Sequence, residues 1–304
     1  MTTKTTVIVD QDGGIDDTLA LILLVRTPGI EIAGVGSVHG NVTAEAAANN
    51  GLRALELAGD HIVPVAIGAA EPLAQPLHLA HPEDLFGKAA GSPKRKPISE
   101  ETAAEQIVRL AHKHRGEIDL LTLGPLTNVA LALAAEPELP RLVRRVVSMA
   151  GALTVRGNIS EHAESNVWHD PEAAAQVLSA GFDLTLVPLD LTRKATVTRL
   201  WLERIAVDQD RLWGRLAAML LAVPGKLPAF PLHDPLAAAI LLDPTFATYR
   251  HTPVVVDLDE DRRGQTRDAD AEHAPAVAIA VEARTSTLLD LLIHALMPGR
   301  ASRS

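Results

Sequence analysis

Four aspartates fall within eight residues in the run Asp10-Gln11-Asp12-Gly13-Gly14-Ile15-Asp16-Asp17. Carboxylates this close repel one another unless protons or a cation neutralise them. Gly13 and Gly14 allow a turn sharp enough to bring the side chains together. An all-oxygen cluster suits a hard cation that takes about six to eight ligands. Calcium is preferred to zinc because no nitrogen or sulfur donor accompanies the carboxylates. A plainer account lets Asp16 and Asp17 merely begin a helix, whose positive end favours acidic residues. That account gives Asp10 and Asp12 nothing to do.

Other chemistry-bearing residues are scattered. Asp234, between His233 and Pro235, reads by itself as a helix N-cap followed by proline at the first helical position. Asp170-Pro171 has the same form and is given no chemistry. Gly40-Asn41, taken alone, is a turn signal. An isolated histidine such as His233 or His81 is usually a surface or core residue.

The elements that must position these groups alternate between strand and helix. Thr6–Val9 reads as a first strand and Asp17–Arg26 as the helix after it. Ile32–Ser37, His61–Ala66, Ile118–Leu123, Val146–Met149, Phe182–Val187, Val254–Asp257 and Val277–Val281 read as further strands. Helices are expected over Thr43–Ala58, after a Ser99 cap, and over Leu126–Ala135, Pro171–Ala180, Val197–Val223 and Leu288–Leu296, with one more following Asp234-Pro235. Residues 69–96 read as a long loop. Such alternation implies an α/β fold, an open, mostly parallel or mixed sheet flanked by helices. No repeat or linker divides the 304 residues, so a single domain over 1–304 is expected. In such a sheet the acidic run, directly after the first strand, lies where ligands bind.

Composition excludes several classes. The chain has no cysteine, hence no disulfide, thiolate zinc site or cysteine nucleophile. A net charge of −10 without a basic block argues against nucleic acid and anionic membrane as partners. With neither a signal-peptide pattern nor an apolar run of membrane-spanning length, a cytoplasmic location is the default expectation.

The acidic run resembles the Asp-x-Asp-x-x-x-Asp-Asp signature of the inosine-uridine nucleoside hydrolase family, which usually has proline in place of Gly13. Four further segments resemble the family in order: His39-Gly40-Asn41, Leu123 to Asn128, Gly157 to Ala173, and Pro231 to Ala237. The resemblance implies a Rossmann-like nucleoside hydrolase fold and calcium-dependent cleavage of the N-glycosidic bond of a ribonucleoside. It implies Asp12, Asp17 and Asp234 as metal ligands, with the backbone carbonyl at Leu123 as a fourth. Asp12 would also deprotonate the attacking water, and Asp10 would sit behind the cluster. Asp16, Asn41 and Asn166 would meet the ribose, while Asn158 and Glu164 would take its 5′-hydroxyl. His233 would protonate the leaving base, and His81 would be a second residue on the base side. The resemblance also suggests a homodimer or homotetramer. Ser165 stands where relatives commonly have phenylalanine, and Pro82 and Leu85 replace glycines. Thr127 and Asn128 are read as helix-starting residues, and Gly264 to Asp268 as a structural loop. The few aromatics near the motifs favour a pyrimidine or mixed base preference.

Two rivals are weighed. A phosphatase of the haloacid dehalogenase type also places Asp-x-Asp after a first strand, but requires a later lysine and magnesium. A non-catalytic, calcium-stabilised nucleoside- or sugar-binding protein would keep the carboxylates without turnover.

Overall fold

The computed structural model describes residues 4–208, 212–222, 229–272 and 274–296. Its strands are β1 Thr5–Gln11, β2 Ile30–Ser37, β3 Val65–Ile67, β4 Ile118–Thr122, β5 Val143–Ser148, β6 Leu184–Leu186, β7 Thr196–Thr198, β8 Ala229–Pro231, β9 Ala247–Val256, β10 Thr266–Asp268 and β11 Ala276–Ala283. The helices are α1 Ile15–Arg26, α2 Ala44–Ala58, α3 Leu85–Ala90, α4 Ala103–Lys113, α5 Thr127–Ala135, α6 Leu139–Leu142, α7 Ser165–His169, α8 Pro171–Ser179, α9 Leu189–Thr192, α10 Arg199–Ile205, α11 Leu212–Ala222, α12 His233–Leu242 and α13 Thr285–Leu296.

Nine strands form one sheet in the order β10-β9-β11-β6-β5-β4-β1-β2-β3. The run from β11 to β3 is parallel, and β9 joins antiparallel to both β11 and β10. The sheet is thus mixed and mostly parallel, with helices on both faces. Alternation along β1 explains how it is covered. Val7 and Val9 pack into a core with α1, α2, α12 and α13, while Ile8 packs into a second core with α4, α5 and α8.

Several boundaries differ from the sequence reading. Ser99 does not cap the fourth helix. Thr102 does, accepting from the Glu105 amide at 3.3 Å while Glu105 returns the bond to the Thr102 amide at 2.7 Å. The reciprocal capping box outcompetes a lone serine. Residues 69–96 are not wholly loop, because Asp84 caps the short helix α3. The long helix expected over 197–223 is instead the strand β7, paired antiparallel with β8, then α10 and α11. The β-branched run Thr196-Val197-Thr198 favours extended backbone, and Thr198 caps α10. Val223 lies outside the described residues. The third strand starts later than expected, at Val65.

Candidate active site

The chain runs from β1 outwards through β2 and β3, then returns to the other side of β1 as β4. Strand order reverses between β1 and β4, and the crevice beyond their carboxyl ends is the expected ligand site of such a sheet. A cavity of about 490 Å³ opens there, a size suited to a small organic molecule.

The acidic run builds its floor. Asp17 begins α1 as the plain account foresaw, accepting from the amides of Gly14 at 2.9 Å and Asp12 at 3.2 Å. Its oxygens do more than that: carboxylate oxygens of Asp16, Asp17 and Asp234 come within 4.8 Å of one another. The trio thus includes Asp16, which the resemblance assigns to the ribose, and leaves Asp12 outside it. Asp12 lies beside the trio, its two oxygens accepting from the Asn41 amide at 2.9 Å and the Asn41 side chain at 2.7 Å. Gly13 has φ of +84°, with the Ala47 backbone packed against its α-carbon. Proline, locked near −65°, has no access to that conformation, so this turn is built differently rather than merely loosened.

Asp234 is not a helix cap. Leu232 occupies the N-cap position of α12 without a side-chain bond, and Asp234 lies inside the first turn. Its carboxylate is therefore free to face the cluster. Burial, then the charges of Asp16, Asp17 and Asp12, push Asp234 well above the ordinary carboxylate range. Burial first, and the Asp17 charge second, push Asp12 up in the same way. Burial and the Asp16 charge push Asp17 up to about 7. The charges that move this cluster, among the described residues, are all those of aspartates. Three convergent carboxylates match the donor set of a hard cation.

The other expected residues largely converge. Asn41, His81, Leu123, Asn158, Glu164, Asn166 and His233 all line the cavity, with Asp16 and Asp234. The Asn166 side chain donates to the carbonyls of Leu123 and Met149, each at 2.9 Å. Leu123 therefore spends one carbonyl lone pair on Asn166 and keeps another. Glu164 caps α7, its carboxylate accepting from the amides of Asn166, Val167 and Gly151 at 2.8, 3.1 and 3.1 Å. Asn158 accepts from the Ser165 amide at 2.8 Å. His81 is held at the mouth by its amide, which donates to the Asn41 carbonyl at 2.7 Å.

Asp10 is fully buried, but its side chain bonds Asn128 at 2.8 Å rather than the cluster. Burial pushes it up to about 7. Its carbonyl accepts from the Leu123 amide at 2.8 Å, which fixes the turn after β4. Asn128 is thus more than a helix-starting residue. It also donates to the Ser37 carbonyl and accepts from the Ala69 amide, each at 2.8 Å, tying three strand ends together.

His233 lines the cavity next to Asp234, with Nδ1 2.7 Å from the Thr192 hydroxyl. Burial lowers its pKa, with the Asp16 charge opposing. Thr192, which bonds His233 from behind, gave no usable sequence signal, and His78, a histidine left out of the expected site, lines the cavity. His78 meets Trp168 edge-on at 5.1 Å. Phe230 lines the cavity, whereas Trp168 backs His78 without lining it.

Comparison with known proteins accords with this geometry. The family model for inosine-uridine preferring nucleoside hydrolase matches residues 7–290. A probable uridine nucleosidase 1 from Oryza sativa is 34% identical over 85% of this chain and 83% of its own. The pyrimidine-specific ribonucleoside hydrolase RihA of Shewanella oneidensis is 37% identical over 78% of each. Among solved structures, the plant nucleoside hydrolase PpNRh1 superposes with a TM-score of 0.89 at 29% identity, covering 97% of this chain and 99% of that one. Fold and site together define an enzyme that hydrolyses N-ribosyl bonds. The chain belongs to the inosine-uridine preferring nucleoside hydrolase family. The phosphatase alternative falls with that membership, and among the described residues no lysine lines the cavity.

Proposed function

We propose that the protein is a calcium-dependent ribonucleoside hydrolase with a pyrimidine or mixed base preference, acting as a single domain. The observation that carries this reading is the convergent carboxylate trio, with Asp17 and Asp234 buried, beside a cavity walled by amides and histidines. Asp17, Asp234 and the Leu123 carbonyl would hold the ion, with Asp16 and Asp12 beside them. When bound, a divalent cation supplies Lewis acidity to a water and a grip on vicinal hydroxyls.

The chain's own residues do the rest. Cleavage of the C1′–N bond develops positive charge on the ribose and negative charge on the departing base. Asp12 accepts the proton of the attacking water, its orientation fixed by the paired bonds from Asn41. Asp16, Asn41 and Asn166 hold the secondary hydroxyls, and Asn158 with Glu164 takes the 5′-hydroxyl. Sites built to bond a hydroxyl reject its absence strongly, so ribose is preferred to deoxyribose. His233, steadied by Thr192, protonates the leaving base, and His81 faces the base. The names of the relatives in Oryza and Shewanella support a pyrimidine substrate. A homodimer or homotetramer in the cytoplasm completes the proposal. No helix among the described residues is long and apolar enough to cross a membrane.

His233→Ala is expected to lower kcat on uridine by roughly 10²–10⁴-fold and to spare a 4-nitrophenyl riboside, whose leaving group departs without a proton. Steady-state kinetics on the two substrates makes the check. Equal losses on both would remove the acid role. Release of ribose from a nucleoside panel, with and without calcium, tests the function as a whole, and a protein that binds uridine without releasing ribose would be a binder.

A further inference from the structure

We propose that Asn50 and Asp84 form a clasp that sets the position of His81 against the acidic turn, making Asn50 a positioning residue for base departure. The proposal rests on the reading above, in which His81 faces the departing base.

Asn50 lies on α2, is 1% exposed and has not been given a role. Its side-chain amide donates to two acceptors, the Gly13 carbonyl and Asp84 Oδ1, each at 2.9 Å. Its own oxygen accepts from the Arg53 guanidinium. The first acceptor belongs to the turn that presents Asp12 and Asp16. The second belongs to the segment carrying His81, and Asp84 itself lines the cavity. A single buried amide therefore joins the two sides of the site.

The backbone at Asp84 indicates that this junction is enforced. Asp84 has φ of 40°, and among the described residues it is the only non-glycine with positive φ. A strained conformation of this kind persists only where its surroundings over-determine it, and it concentrates at functional sites. Here the surroundings are explicit. Asp84 Oδ1 also accepts from the Gly87 amide at 2.9 Å, and the Asp84 amide donates to the His81 carbonyl at 3.2 Å. At the other end of the segment, the amides of Ala80 and His81 donate to the carbonyls of Gly40 and Asn41 at 2.9 and 2.7 Å. Asn41 is the residue that grips Asp12. His81 thus lies between two tethers that both lead back to the acidic loop. One of them runs through a side chain that mutation can remove.

Three variants separate positioning from mere support. Asn50→Ala deletes the bridge. Asp84→Gly keeps the left-handed backbone at no steric cost but loses the carboxylate. Asp84→Asn keeps an Oδ1 acceptor and a residue type that tolerates this conformation. Kinetics on uridine and on 4-nitrophenyl riboside are compared, and amide hydrogen exchange is followed at His81 and Asp84. Asn50→Ala and Asp84→Gly are expected to lower kcat on uridine, by up to about 10²-fold for a misplaced group. They should change the nitrophenyl riboside little and speed exchange at His81 and Asp84 without speeding it in β4. Asp84→Asn should restore both readouts. Equal losses on the two substrates, unchanged exchange in Asn50→Ala, or Asp84→Gly matching Asp84→Asn would overturn the clasp. Failure of the wild-type protein to release ribose would instead count against the functional reading, and the exchange data would still decide the clasp.

Discussion

Asp12→Asn is expected to cut kcat on uridine by roughly 10²–10⁴-fold, the usual worth of a placed general base, while the protein remains folded. An asparagine keeps the shape of Asp12 but lacks the negative charge and basicity needed to accept a proton. The folded state should tolerate the change because two effects oppose each other. Asn41 donates to both Asp12 oxygens, and asparagine offers a single acceptor oxygen, so one buried donor loses its partner. Against this, Asp12 stands close enough to Asp17 for its ionised form to be opposed by that charge, and the substitution removes the repulsion. Steady-state kinetics with thermal unfolding on the same sample checks both parts. Wild-type turnover would remove Asp12 from the mechanism, and loss of folding would make the kinetic result structural.

Stripping divalent cations is expected to abolish ribose release and to destabilise the protein in a pH-dependent way. Asp10 and Asp17 ionise near 3.8 when unfolded and near 7 when folded. Below about 4 both states carry the protons and burial costs nothing in linkage. As pH rises towards 7 the unfolded chain releases protons that the folded site retains, so folding stability falls, and above 7 the loss is complete. A cation reverses this at Asp17 and Asp234 by stabilising the carboxylate form. The rise in Tm on adding calcium to chelator-treated protein should therefore be small near pH 4–5 and grow through pH 7. Differential scanning calorimetry across that range makes the measurement. A rise that shrinks with increasing pH, or undiminished ribose release in chelator, contradicts the account.

How much of this was legible in the sequence depends on how far each contact reaches along the chain. The acidic run could be read because a β-branched strand, two glycines and four aspartates are adjacent. Asp234 was found through its Pro-Leu-His-Asp context, although its helical position was misread as a cap. The remaining segments from Asn41 to Asn166 were found by resemblance and converge on one cavity. What stayed hidden was made by tertiary contact. Asn128 meets Asp10 across 118 residues, Thr192 reaches His233 across 41, and Asn50 reaches Asp84 across 34. A buried asparagine or threonine on a helix carries no local mark of such a partner. Asp10 was expected by resemblance to sit behind the cluster, and what the sequence did not mark is its buried partner Asn128. Over residues 197–223 the apolar run fitted a helix, and the pairing of β7 with β8 that overrides it comes from residues beyond the window.

The most direct test is a crystal structure of the protein grown with saturating calcium. One ion is expected on the cavity floor, about 2.3–2.6 Å from carboxylate oxygens of Asp17 and Asp234 and from the Leu123 carbonyl. A floor without an ion at saturation, or an ion bound elsewhere with Asp17 and Asp234 turned apart, would contradict it.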